Sequence, residues 1–533
     1  MNIHTLAMGA SFFGRLPFLL RRPLTLEESQ RILRERLAKR ETMFLEKLRR
    51  TIFEHEPSPY RPLLRRAGCE FGDIENGVRR DGIEATLRTL FRNGVYLTVD
   101  EFKGRQPAVR GELRVEVNPD LLRNPCAASH MPLASGGSRS GGTPVLMDLS
   151  FIRGCAVNTQ LYLRARSGDN WRKATWEVPG AGARFRLIKY ACYGEPPVRW
   201  FSQVAPDAPD LDPVFRWNTR ALYWSSRMAG VPLPGPIHAP LADARPVAAW
   251  LQEELRAGRT PHLFTFPSSA VAACRAATEH GLDIAGAQFT LGGEPITAAR
   301  LASVSKVGGQ ALPRYGSIEC GPIGYGCLAP SDSDDVHLLA DLHALIQAGD
   351  NASGLLTEAL LITALHPQSA FVMLNVSMGD QAILEPRSCD CPLEQLGWTT
   401  HLRGIGSYEK LTGGGMTFSG TDVVRILEQV LPSRFGGLPT DYQLVEEEDD
   451  AGHSRVRLLV SPRVGPDVNT TAVADVFLSA LGDGQVTNRL MERMWRESKL
   501  FAVERQAPYI TRAGKVLHFH LLRGRDSART RVA

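Results

Sequence analysis

Between residues 244 and 291 the sequence alternates between two kinds of segment. Ala248–Arg256 and Ser269–Glu279 read as helices, and His262–Phe266 and Gln288–Leu291 are short apolar runs set between them. A strand covered on both faces reads as an unbroken apolar run. A helix between two such strands returns the chain to start the next one in the same direction. The stretch therefore predicts a parallel sheet with crossover helices, which restricts the chain to the α/β class. Its 533 residues, 43% of them hydrophobic, suit a large bilobed body plus a smaller terminal domain.

The flanking segments fill in that plan. Thr25-Leu-Glu-Glu28 has the form of a capping box and opens a helical stretch to about Phe53. Ser58–Gly68 reads as a short helix closed by its glycine. Prolines and aromatics crowd residues 190 to 240 and predict a loop-rich region. After about residue 405 the texture changes. A helix at Thr421–Leu431, a hairpin turning through Glu446–Gly452 into Arg455–Val460, a helix near Thr471–Leu481 and a strand at Val516–Leu521 predict a small α+β unit. The expected division is a large N-terminal domain over 1–405 and a small C-terminal domain over 406–533. The acidic run at 446–450 is expected at a solvated hairpin tip.

Composition excludes several classes of partner. The 62 basic and 57 acidic residues leave a net charge of only +5, and no basic stripe with interleaved aromatics is present, so nucleic acid is not an expected ligand. Arg15, Arg21, Arg22, Arg31, Arg34, Arg36, Lys39 and Arg40 read as a solvated helix face. Ser11–Leu20 is apolar but broken by Arg15 and Pro17, without a cleavage site, and no run is long enough to span a bilayer. Nine cysteines, an odd number, argue against a disulfide framework. Cytoplasm is the expected compartment, with no membrane partner.

Two segments carry the residue types of an adenine nucleotide pocket: Leu291-Gly-Gly-Glu-Pro-Ile-Thr297 and Arg314-Tyr-Gly-Ser-Ile-Glu-Cys320. Gly292 and Gly293 let the backbone approach a flat base, with Glu294 and Pro295 completing the turn. Tyr315 offers a ring for stacking, Gly316, Ser317 and Ile318 follow it, and Glu319 is a hard oxygen ligand for Mg²⁺. Upstream, Ser135, Gly136, Ser138, Ser140, Gly141 and Thr143 can turn several N–H and O–H donors toward one triphosphate, with Arg139 supplying charge. Cys327, His337, Cys389 and Cys391 make a closed set for structural zinc, with Cys320 and His343 as alternatives to Cys327 and His337. His262, Phe264 and Phe266 are candidates for the wall of an acid pocket.

The order and spacing of these segments resemble the adenylate-forming ligases, in particular the branch containing phenylacetate–CoA ligase. Pro508-Tyr-Ile-Thr-Arg-Ala-Gly-Lys515 is similar to that superfamily's C-terminal Pro-x-Thr-x-x-Gly-Lys pattern, and places Lys515 on its catalytic lysine. Asp380, in Gly379-Asp380, matches the carboxylate that accepts from both ribose hydroxyls. Arg403 matches the ribose and hinge arginine, with Ser407 near the pivot. The Cys/His and Cys-x-Cys elements also resemble those of some members of that branch. Departures are present: the phosphate loop is longer, Ile318 and Met378 replace threonines, and Gly-Ile-Gly-Ser after Arg403 does not match the acidic hinge.

The resemblance implies a large α/β body with a small α+β C-terminal lid, and ATP at their junction. It implies ATP- and Mg²⁺-dependent activation of a small carboxylic acid, aryl or similar, as acyl-AMP, with release of pyrophosphate. The acyl group then passes to CoA or a carrier-protein thiol; a dimer is compatible with it. Transfer to an amine or other nucleophile, or a degenerate nucleotide-binding homologue, are the alternatives.

Overall fold

The computed structural model describes residues 12, 14–128, 131–134, 144–177, 180–206, 213–240, 243–293, 296, 298–350, 353–407, 412–413, 416–417, 423, 425–437, 441–448, 454–483, 486–498, 500–509 and 519–522. Six strands, β1 (Arg172–Glu177), β2 (Arg199–Ser202), β3 (Pro236–His238), β4 (Pro261–Thr265), β5 (Gln288–Leu291) and β6 (Gln310–Ser317), lie parallel in the order β6-β5-β4-β1-β2-β3. β4 and β5 are buried at every position, which is why their sequence lacks alternation. Helices α1 (Leu149–Ala165), α2 (Ala181–Ala191), α3 (Arg245–Arg256) and α4 (Pro267–Glu279) connect or cover these strands. Asp148 caps α1 by accepting from the Ser150 N–H at 2.6 Å, and α4 opens on Pro267, whose missing N–H costs nothing there.

The strand β6 joins the parallel and antiparallel halves of one twelve-stranded sheet. Its first half, Gln310–Pro313, pairs parallel with β5, whereas Arg314–Ser317 pairs antiparallel with β7 (Gly321–Gly326). From there an antiparallel sheet continues through β8 (Val336–Leu338), β9 (His343–Gln347), β10 (Ala359–Ala364), β11 (Val376–Pro386) and β12 (Thr400–Ser407), in the order β9-β10-β11-β12-β8-β7. β12 runs to Ser407, paired with Asp380, so a boundary at 405 would cut a strand of the large sheet.

A separate four-stranded sheet forms near the C-terminus in the order β15-β14-β13-β16. Its strands are β13 (Tyr442–Glu448), β14 (Ser454–Val460), β15 (Phe501–Arg505) and β16 (Phe519–Leu522). Helix α5 (Thr470–Gly482) is capped by Asn469, and with α6 (Val486–Ser498) it stacks Phe477 and Trp495 on Phe501 at 5.0 and 5.4 Å.

Several expectations are corrected. The region read as loops holds β2, β3 and a helix, Pro213–Met228. The helix expected at Thr421–Leu431 is present, with a π-helical turn at Ile426–Val430 that runs on as an α-helix through Leu431–Phe435. Glu446–Glu448 lie inside β13 rather than at a solvated tip, and Glu447 meets Arg457 at 2.6 Å. The basic N-terminal face is not wholly solvated. Arg36 reaches the Gly154 carbonyl and the buried Asp341, and Arg40 reaches Glu84 and the Ala340 carbonyl. Among the described residues no helix is long and apolar enough to cross a membrane.

Candidate active site

The junction strand β6 gathers the predicted nucleotide residues. The Tyr315 hydroxyl donates to Asp380 Oδ2 at 2.8 Å, joining positions 65 apart in sequence. Burial, with the Asp380 carboxylate beside it, pushes the Tyr315 hydroxyl well above its usual range, so it stays protonated and donates. Asp380 stands after Gly379, whose φ of +84° accompanies an irregularity in the ladder of β11. The Gly292 turn reaches the same strand: a side chain at Gly292 would meet the Arg314 carbonyl at 2.8 Å. Gly293, with φ of +90°, faces the Phe266 ring at 3.0 Å. Both glycines are therefore required by packing of the chain on itself, a reason apart from approach to a base. Gly316 is needed too, because a Cβ there would lie 2.3 Å from the Gly321 carbonyl across the hairpin. In the turn itself the Ser317 hydroxyl accepts from the Cys320 N–H at 3.1 Å. Ile318 packs partly buried against the core.

Two further predicted site residues have charged partners. Glu319 is 5% exposed, and the Lys103 ammonium stands 3.6 Å from its carboxylate. The Lys103 ammonium thus stands beside one oxygen of the carboxylate that the sequence offers to Mg²⁺. Arg403 pairs in register with Ile383, donates to Glu385 at 2.8 Å and faces Asp332 at 3.5 Å. It sits four residues along β12 from the partner of Asp380, roughly 13 Å away at strand spacing. The structure therefore does not bring Arg403 to the Tyr315–Asp380 pair. Lys515, Glu294, Pro295 and the loop residues Ser135, Gly136, Ser138, Arg139, Ser140, Gly141 and Thr143 lie outside the described residues.

Of the expected acid-pocket wall, Phe264 lines a crevice with Lys189, Arg314 and Tyr325. Phe266 packs on Gly293 instead. His262 is a core histidine, bonded to Thr290 Oγ1 at 2.8 Å and stacked on Trp171 at 5.4 Å. Lys103, Lys189 and Arg314 were not singled out from the sequence. Only Arg314 left a signal, its place directly before Tyr315.

In the antiparallel sheet, Cys327, His337, Cys389 and Cys391 bring one ligand atom each to within 4.8 Å of one another. His337 Nε2 lies 3.2 Å from Cys391 Sγ and 3.6 Å from Cys389 Sγ. Its Nδ1 donates to the Trp398 carbonyl at 2.5 Å, which leaves the Nε2 lone pair facing the sulfurs. Burial pulls the His337 pKa down to about 4, so the ring is neutral. That is the protonation and orientation a metal-binding imidazole needs. Around it His401 Nδ1 meets Asp335 at 2.7 Å, and Arg387 reaches both Asp335 and Cys327. The alternatives are placed elsewhere: Cys320 packs on Met373 Sδ, and His343 Nε2 meets the Pro322 carbonyl.

No family model and no curated protein matches the sequence. Solved structures do. A 2-hydroxyisobutyryl-CoA ligase, in complex with 2-HIB-AMP and CoA in its thioesterification state, matches over 95% of this chain and 92% of its own, with TM-score 0.57 and 15% identity. The fold is that of the adenylate-forming ligases. The amide bond synthetase McbA from Marinactinospora thermotolerans matches over 87% of this chain and 92% of its own, with TM-score 0.40 and 13% identity. Within the adenylate-forming fold described here, the Gly292 turn, Tyr315 and Asp380 converge at the strand that joins the two halves of the twelve-stranded sheet.

Proposed function

We propose that this protein uses ATP to activate a small carboxylic acid as its acyl adenylate, releasing pyrophosphate, and then passes the acyl group to the thiol of CoA or of a carrier protein. The observation that carries the reading is the meeting of Tyr315 with Asp380 beside the Gly292 turn. In this reading the Tyr315 ring stacks on adenine and the Asp380 carboxylate accepts from the two ribose hydroxyls, two acceptor oxygens facing a vicinal diol. A carboxylate oxygen of the acid forms a bond to the α-phosphorus, and the bond from that phosphorus to the pyrophosphate oxygen breaks. Two anions must approach for this. Lys515 on the C-terminal unit supplies an ammonium between them, and the 135–143 loop with Arg139 holds the departing phosphates. Mg²⁺ enters with ATP. Glu319, one of whose oxygens lies 3.6 Å from the Lys103 ammonium, would serve as its carboxylate ligand.

The thiolates of Cys327, Cys389 and Cys391 with His337 Nε2 fit a structural zinc ion, which supports placement near the phenylacetate–CoA ligase branch. The metal would hold the sheet and take no part in the chemistry. Residues 1–407 serve as the large ATP- and acid-binding unit and the remainder as a mobile lid whose rotation exposes the adenylate to the thiol.

Acid-dependent exchange of labelled pyrophosphate into ATP tests the reading. Exchange is expected with at least one acid of a panel, and Lys515→Ala is expected to lower it by about 100-fold or more. Binding of ATP without exchange for any acid would leave a nucleotide-binding protein that no longer adenylates. Thioester formation with CoA, against amide formation with amines, decides the acceptor.

A further inference from the structure

Behind β6, between α1, α2 and the parallel sheet, the crevice lined by Phe264 also presents Lys189, Arg314, Tyr325 and Thr159. Its charge is unbalanced. Arg186 holds Glu177 through Nε at 2.6 Å and lays its guanidinium over the Phe264 ring at 3.5 Å. Glu177 is thereby occupied. Lys189 is 2% exposed, and its hydrogen-bond partner among the described residues is the Tyr325 hydroxyl at 3.3 Å, which is not an anion. Arg314 buries its Nε without a partner among the described residues. Among the described residues three basic side chains, Arg186 and Lys189 buried and Arg314 half-buried, thus face one carboxylate. Burial, with Arg314 and Arg186 nearby, pulls the Lys189 pKa well below its usual range, which shows how unfavourable a further positive charge is there.

The location gives this imbalance a meaning. Arg314 directly precedes Tyr315, and successive side chains of a strand point to opposite faces. The crevice and the Tyr315–Asp380 pair therefore lie on the two sides of one strand, one residue apart. A molecule joined to the nucleotide at the end of β6 can extend into the crevice and reach Lys189. The crevice is narrow, so such a ligand must draw Lys189 away from Tyr325. An oxyanion does that at a gain, since it pairs with Lys189 and Arg314, which among the described residues make no ion pair of their own.

We infer that this crevice binds the distal end of the acid and that this end is itself anionic, so that the substrate is a dicarboxylic acid or an acid ending in another oxyanion. The inference rests on the adenylation proposed above and narrows its substrate class.

Matched pairs test it: α,ω-dicarboxylic acids of increasing length against their neutral half-esters, in pyrophosphate exchange and in thermal-shift binding without ATP. The expected result is a kcat/KM at least about tenfold higher for a diacid than for its half-ester, and a larger Tm rise with the diacid. Lys189→Met and, separately, Arg314→Met should bring both ratios close to one, with KM for the diacid rising and half-ester turnover retained. Circular dichroism of each variant separates this from misfolding. Equal use and equal binding of diacid and half-ester by the native protein would overturn the inference. Absence of exchange with every acid would instead count against adenylation, and the binding arm would still decide whether the crevice selects an anion.

Discussion

Lys47 shows what one buried side chain does to stability. It is 7% exposed and donates to the Ala364 carbonyl and to Ser369 Oγ, each at 2.6 Å. Burial pulls its pKa from 10.5 to about 7. Between these values the unfolded chain binds more protons than the folded one, so stability rises with pH across the window and the full penalty applies below about pH 7. The shift corresponds to roughly 4–5 kcal/mol over the whole window. Lys47→Met removes this dependence while leaving the Ala364 and Ser369 oxygens short of a donor, at a pH-independent cost of about 1–3 kcal/mol. Denaturant midpoints from pH 7 to 9.5 should climb in the native protein more steeply than in the variant. Parallel profiles would remove Lys47 as the cause.

At the scale of elements, the junction strand β6 turns from parallel to antiparallel pairing within eight residues, and Gly316 makes the change possible. The register shifts between Tyr315 and Gly316, and the opposing Gly321 carbonyl fills the place of a Cβ. Gly316→Ala forces two backbones apart and should cost about 2–4 kcal/mol, with nucleotide binding weakened because Tyr315 is displaced from Asp380. Thermal unfolding and ATP titration measure both. This strand also shows what the sequence made legible. Tyr315, the glycine turn and the Cys-x-Cys pair could be read because their chemistry needs particular residues at short spacing. α3, β4, α4 and β5 could be read because burial on both faces leaves an apolar run. β2 and β3 could not: at four and three residues, with prolines around them, they are too short to show a period, and the sheet rather than local propensity makes them strands. Lys103 beside Glu319 and Lys189 beside Arg314 were equally hidden, because pairings across more than a hundred positions leave no local pattern.

Among the described residues the two largest sheets, the twelve-stranded sheet and the four-stranded one near the C-terminus, share no strand. Only the first carries the Cys327–His337–Cys389–Cys391 set. These ligands come from the end of β7, from β8 and from the segment after β11, so a zinc ion would close a loop of 62 positions between Cys327 and Cys389. By analogy with a covalent cross-link, closing such a loop is worth about 4 kcal/mol. Removing the metal should therefore loosen one sheet and leave the other alone. The protein as purified should contain about one zinc per chain. After chelation, or in Cys391→Ser, amide hydrogen exchange should quicken in β8, β11 and β12, where His337 and the Asp335–His401 contact tie the strands together. Exchange in β13 and β14, which pair only within the smaller sheet, should not change. Uniform acceleration of both sheets would mean that the two units unfold as one, and no acceleration in metal-free protein would mean that hydrogen bonds and packing hold the four ligands without an ion.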